Sequence, residues 1–256
     1  MSKKPKIAIF DFTDCEGCQV KIVSLREKIL DIIKAVDIVN WRLGQEQADK
    51  GPYDVSFIEG TPITPDEIEV LEYARKNSKY VIGLGSCATL GGIPGIIDKT
   101  ERKKWYEKIY GKDYKPVGID AVPISAYVDV DYLIHGCPVQ ETELERVFEE
   151  FLTGKKLSYR GYSVCFECKA AGNRCRIIDG EICLGPITQG GCGAICISGG
   201  SPCYGCFGIR KEANVKGLVK ALEKIATKKE IERYFTMFLS RTSEYKKIVK
   251  RELNNK

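Results

Sequence analysis

The stretch Lys6-Ile7-Ala8-Ile9-Phe10-Asp11-Phe12-Thr13-Asp14-Cys15-Glu16-Gly17-Cys18 sets a short apolar strand, Lys6–Phe12, directly before a turn that holds two cysteines. Two further stretches repeat the arrangement. Lys79–Leu84 (KYVIGL) runs into Gly85-Ser86-Cys87, and Val130–Ile134 (VDYLI) runs into His135-Gly136-Cys137-Pro138. Ile38–Leu43 and Tyr53–Gly60 read as the remaining strands, while Val20–Ile33, Pro65–Lys76 and Gln140–Leu152 repeat apolar residues at helical spacing. Thr64-Pro65-Asp66-Glu67 supplies an N-cap, a first-turn proline and a capping-box partner, and Gly154 stops the last helix. This alternation predicts an α/β fold: a parallel sheet with helices on both faces. The carboxyl ends of its strands share one edge, where ligands bind, so Cys15, Cys18, Cys87 and Cys137 are expected to converge there. Four thiolates suit a tetrahedrally ligated metal centre, and the adjacent glycines let backbone N–H groups approach its sulfurs.

Composition narrows the chemistry. With 256 residues, 43% hydrophobic and 29% charged, the chain buries a real core and is neither disordered nor collagenous. Its formal charge of +5 is too mild to imply a nucleic-acid or anionic-membrane partner. A lone histidine, His135, leaves little room for His-rich zinc sites or for haem held by two histidines. The start, MSKKPKIAIFDF, lacks a signal-peptide core, and no window approaches the ~20 apolar residues of a membrane helix. A cytoplasmic location is expected, and its reducing conditions disfavour pairing twelve cysteines as disulfides. Metal ligation is the leading explanation.

Eight of the cysteines lie in residues 165–206, a glycine-rich segment with few apolar runs that is expected to fold around metal rather than a conventional core. Their spacing is Cys165-x2-Cys168-x6-Cys175-x7-Cys183, then Cys192-x3-Cys196-x6-Cys203-x2-Cys206. The chain therefore divides into 1–156, 157–210 and 211–256, the last a solvated pair of amphipathic helices over Val215–Ile225 and Glu230–Ile248. Spacing alone leaves two chemistries open. The Cys-x2-Cys pairs fit a zinc-organised scaffold, whereas three sets of four and the ferredoxin-like Cys203-Tyr204-Gly205-Cys206 favour iron–sulfur clusters and electron relay.

Over roughly residues 6–210 the sequence resembles the small, electron-transferring subunit of nickel-iron hydrogenases. The runs that carry the likeness are Asp14-Cys15-Glu16-Gly17-Cys18, Phe57-Ile58-Glu59-Gly60, Gly83-Leu84-Gly85-Ser86-Cys87-Ala88-Thr89-Leu90-Gly91-Gly92-Ile93-Pro94, Gly136-Cys137-Pro138 and Cys183-Leu184-Gly185-Pro186-Ile187-Thr188-Gln189-Gly190-Gly191-Cys192. The resemblance implies a flavodoxin-like domain, a C-terminal iron–sulfur domain and three [4Fe-4S] clusters. It assigns Cys15, Cys18, Cys87 and Cys137 to a proximal cluster, and Cys165, Cys168, Cys175 and Cys183 to a distal one. Cys192, Cys203 and Cys206 fall to a medial cluster, with Cys196 as fourth ligand in place of the three-iron arrangement of many members.

Many members also carry histidine where Cys165 stands; thiolate there adds negative charge and lowers the expected potential. The resemblance further implies a large subunit bearing the Ni-Fe site, iron–sulfur and flavin-containing reductase subunits, and no catalytic residue in this chain. The branch resembled is the cytoplasmic, sulfhydrogenase-like one, whose delta subunits serve NAD(P) or another soluble carrier. F420- or heterodisulfide-reductase-linked hydrogenases and a complex I-like quinone-reductase subunit are the alternatives. Glu16 and Glu59 are expected to cap turns or meet the partner, with tuning of the proximal cluster or proton movement as the other roles. His135 is expected to bond either a cluster sulfur or the backbone.

Overall fold

The computed structural model describes residues 4–115 and 118–254. Strands β1 (Lys6–Asp11), β2 (Asp37–Trp41), β3 (Tyr53–Glu59), β4 (Ser78–Leu84) and β5 (Tyr132–Ile134) form one sheet in the order β2-β1-β3-β4-β5. Every pairing is parallel, with Ile9 beside Phe57 and Phe57 beside Ile82 across the centre. From Val55 to Glu59 every residue of β3 is buried, as expected of a strand covered on both faces.

The covering helices come from both sides of the crossovers. On one face, α1 (Gly17–Val23), α2 (Glu27–Ala35) and α6 (Glu141–Leu152) bring Ile22, Leu144, Val147 and Phe148 onto Ile7, Ile9, Phe57 and Leu84. On the other, α3 (Pro65–Lys76) and α4 (Gly85–Leu90) bring Leu71, Ala74 and Ala88 onto Ile58 and Val81. The Thr64–Glu67 capping box starts α3 as its sequence predicts.

Strand and helix ends shift by a residue or two from the expected ones, and three larger differences stand out. The helix expected over Val20–Ile33 is two, because the chain turns at Arg26 (φ 55) and thereby buries Leu25. The fifth strand begins at Tyr132 rather than Val130, since the Asp131 carboxylate itself accepts from Val81 N at 2.7 Å and from Arg75 at 2.6 Å. Helix α5 (Lys99–Tyr110) follows α4 with no apolar stripe to announce it.

Beyond the sheet, α7 (Val164–Ala170) and the short α8 (Ile195–Ser198) punctuate the glycine-rich segment. This segment does have a core. Cys168, Cys183 and Cys203 pack with Val164, Ala194 and Ile197, so the cysteines serve as its apolar residues. The terminal helices α9 (Val215–Leu222) and α10 (Lys228–Leu239) are not merely solvated: Leu222, Ile231 and Phe235 are buried against Leu90, Leu184 and Ile187. Helix α10 begins at a second capping box, Thr227–Glu230, and ends at Leu239. The chain continues as a π-helical turn, Tyr245–Val249, and α11 (Lys250–Asn254), in place of one helix to Ile248. Among the described residues no helix is long and apolar enough to cross a membrane.

Candidate metal centres

The parallel sheet brings three cysteine-bearing turns to one edge. Cys15 and Cys18 lie between β1 and the first turn of α1, Cys87 on α4 after β4, and Cys137 just after β5. Burial pushes the Cys87 thiol up to about 12, and neighbouring Cys137 and Cys15 add to it. Cys137 is raised by burial and by Cys15, and Cys18 is raised strongly by burial and by Glu59, with Cys87 adding to it. The four thiols therefore share one end of the sheet and are electrostatically coupled. Backbone near Val139 and Ile93 works the other way, holding the Cys18 and Cys87 pKa values down. The approach is tight: a Cβ on Gly85 would lie 2.3 Å from Cys18 Sγ.

Glu59 holds this edge together. The last residue of β3, it is buried, and its carboxylate accepts from Cys18 N at 2.9 Å and Gln19 N at 3.0 Å, capping α1 from 40 and 41 residues away. Burial raises its pKa despite those bonds. Glu16 instead pairs with Arg42 at 2.6 Å near the surface. The His135 Nδ1 meets Thr89 Oγ1 at 2.8 Å, a side-chain partner rather than the backbone one expected, and burial lowers its pKa to about 4.

In the glycine-rich segment two more groups assemble. Burial pushes Cys165 up to about 11, reinforced by Cys183, Cys168 and Cys175. A Cβ on Gly185 would stand 3.4 Å from Cys165 Sγ and 3.5 Å from Cys183 Sγ, so both sulfurs surround one backbone point. Burial raises Cys192 to about 12, with Glu167 and Cys196 contributing, and raises Cys206 well above the usual thiol range, with Cys203, Cys192 and Cys196 adding to it. These last four, Cys192, Cys196, Cys203 and Cys206, line a cavity of about 250 Å³ together with Cys137.

That cavity links the other two groups. Cys137 lines it beside Cys206, and Ser86 Oγ, next to Cys87, donates to Cys206 O at 2.7 Å. On the opposite side, Cys203 N donates to Cys183 Sγ at 3.3 Å. All twelve predicted residues are free thiols.

The donor sets fit iron–sulfur clusters. Thiols raised by burial become thiolates only when a cation compensates them, and inward-pointing amides stabilise cluster sulfurs. Among the described residues no three His, Cys, Asp or Glu side chains stand close enough to hold a single ion, whose tetrahedral sulfur ligands lie about 4 Å apart.

Sequence reasoning passes over Glu167, inside Cys165-Phe166-Glu167-Cys168, which accepts from Gly191 N at 2.8 Å and Gly193 N at 3.0 Å around Cys192. Its only local signal is an acidic residue between two candidate ligands.

Comparison with known proteins agrees with this architecture. Residues 15–151 match the family model described as NADH ubiquinone oxidoreductase, 20 Kd subunit. Sulfhydrogenase 2 subunit delta of Pyrococcus furiosus is 36% identical over 91% of this chain and 98% of its own length. A subunit of the F420-non-reducing hydrogenase of Methanococcus voltae is 27% identical over 85% and 86% respectively. The same fold occurs in the actinobacterial-type NiFe-hydrogenase from Ralstonia eutropha H16, at a TM-score of 0.54 and 17% identity over 99% of this chain and 92% of that one. With a parallel sheet, a cysteine-rich C-terminal region and near full-length similarity to a delta subunit, the chain belongs to the hydrogenase small-subunit family and is an oxidoreductase component of a hydrogenase complex.

Proposed function

We propose that this chain is the electron-transfer subunit of a cytoplasmic nickel-iron hydrogenase complex. Three [4Fe-4S] clusters, when bound, would relay single electrons between a large-subunit Ni-Fe site that oxidises H2 or reduces protons and a flavin- and iron–sulfur-containing reductase for NAD(P) or another soluble carrier.

Cys15, Cys18, Cys87 and Cys137 hold the proximal cluster, and Cys192, Cys196, Cys203 and Cys206 the medial one. Cys165, Cys168, Cys175 and Cys183 hold the distal one. The observation that carries this reading is the serial arrangement of the cysteines: Cys137 lines one cavity with Cys192, Cys196, Cys203 and Cys206, and Cys203 N donates to Cys183 Sγ on the way to the remaining set. A zinc scaffold needs no such series; electron transfer does, because tunnelling weakens steeply with distance. In the middle of the path Cys203 is buried, and Phe207 and Phe238 line the cavity beside it. At the sheet edge Cys15 and Cys137 are exposed, and exposed Val20, Val23, Ile93 and Ile96 flank Cys18 and Cys87 in the chain. Such an apolar rim around exposed ligands suits cover by the large subunit.

Metal analysis of the anaerobically purified complex tests the reading. Three cubanes give about twelve iron and twelve sulfide per chain. Stoichiometric zinc in a colourless sample without paramagnetic signals on reduction would overturn it.

A further inference from the structure

Glu167 lies in the turn of α7 that carries Cys165 and Cys168, yet its side chain reaches the loop of the neighbouring quartet. Oε1 accepts from Gly191 N at 2.8 Å and from Tyr162 Oη at 3.4 Å; Oε2 accepts from Gly193 N at 3.0 Å. These bonds straddle Cys192, whose Sγ stands 3.8 Å from Oε2 as a thiol donor. Once Cys192 ligates as thiolate that donor is gone, and two negative groups face each other. The N–H bonds from Gly191 and Gly193 keep the carboxylate in place against the repulsion.

Resting on the assignment of the quartets as cluster ligands, we propose that Glu167 is a positioning residue: it fixes the Cys192 loop and lowers the potential of the medial cluster. The physical reason is charge. Reduction adds an electron, and a fixed anion beside one ligand disfavours the more negative state. Because Glu167 also belongs to the distal Cys-x2-Cys pair, it sits where the electron passes from one quartet to the next.

The test is potentiometric titration by electron paramagnetic resonance of the anaerobically purified complex carrying Glu167→Gln. Glutamine keeps the shape and one N–H acceptor, removes the charge and presents an amide donor toward the sulfur. Iron content is expected to hold, and the medial midpoint to move positive. At the wild-type midpoint the reduced-to-oxidised ratio should rise about tenfold, which is ~59 mV for a one-electron couple. Full iron with an unmoved midpoint overturns the proposal. Should Glu167→Gln lose iron, Tyr162→Phe decides, because it removes one donor from the carboxylate and keeps its charge. A negative shift supports the proposal, and an unchanged midpoint overturns it. Wild-type complex without cluster signals would defeat the ligand assignment instead.

Discussion

Gly85→Ala measures how tightly the sheet edge closes around Cys18. Gly85 joins β4 to α4 at φ +81, and an added Cβ would lie 2.3 Å from Cys18 Sγ and 3.5 Å from Gly136 O. Normal contact distances are about 3.5–4.0 Å, so Cys18 or the α4 backbone must retreat by more than an ångström. Cys18 has little room, being only 7% exposed and held through its own N–H by Glu59. An alanine in the left-handed region costs about 1–2 kcal/mol, and overpacking a close-packed site about 1–3 kcal/mol more. The expected loss is therefore about 2–5 kcal/mol, or roughly 4–20 °C in thermal midpoint for a protein of this size. Gly111→Ala is the control, because Gly111 has φ +90 and nothing within 4 Å of its Cβ position. At φ 90, ψ 166 it carries backbone strain alone, about 1–3 kcal/mol. The assay pairs thermal unfolding of the anaerobically purified complex with iron per chain. Gly85→Ala should lose about four of twelve irons while Gly111→Ala loses none. Equal thermal shifts in the two variants, with full iron in both, would refute the close-approach argument.

The other variants probe separate parts of the assembly. Glu59→Ala leaves two N–H groups of α1 without an acceptor; about 2–4 kcal/mol of destabilisation is expected in urea unfolding, together with loss of iron at the sheet edge. Cys196→Ser should convert one cubane to a three-iron centre visible by electron paramagnetic resonance, and an unchanged cubane spectrum would remove Cys196 from the ligand set. Phe235→Ala, in the core that α10 shares with Leu184 and Ile187, should cost about 3–5 kcal/mol. If α10 were only an appendage, that variant would keep both its thermal midpoint and the iron of the glycine-rich segment.

Much of the fold is legible before any coordinates, for local reasons. Apolar strands leading into Cys15, Cys87 and Cys137 specify a parallel α/β sheet, and the Thr64–Glu67 box fixes a helix start within one turn. The same local signal recurs at Thr227-x-x-Glu230, and it moves the start of α10 forward from the expected Glu230 to Lys228. Where expectation failed, a distant group had intervened. Asp131 replaces a strand pairing through Val81 and Arg75, and burial of Leu25 accompanies the break in what reads as one helix.

The sequence by itself determined the spacing of the twelve cysteines and the strand-end placement of four of them, because these follow from residue identity and short-range periodicity. Tertiary structure alone decided which cysteines from distant segments meet. It put Cys137 on one cavity with Cys196 and Cys206, brought Cys203 N to Cys183 Sγ, and gave Glu59 and Glu167 their partners. Those relations join residues 20 to 69 positions apart along the chain. No local pattern encodes them, since they arise only when packing of the sheet, the glycine-rich segment and the terminal helices fixes which loops share a boundary.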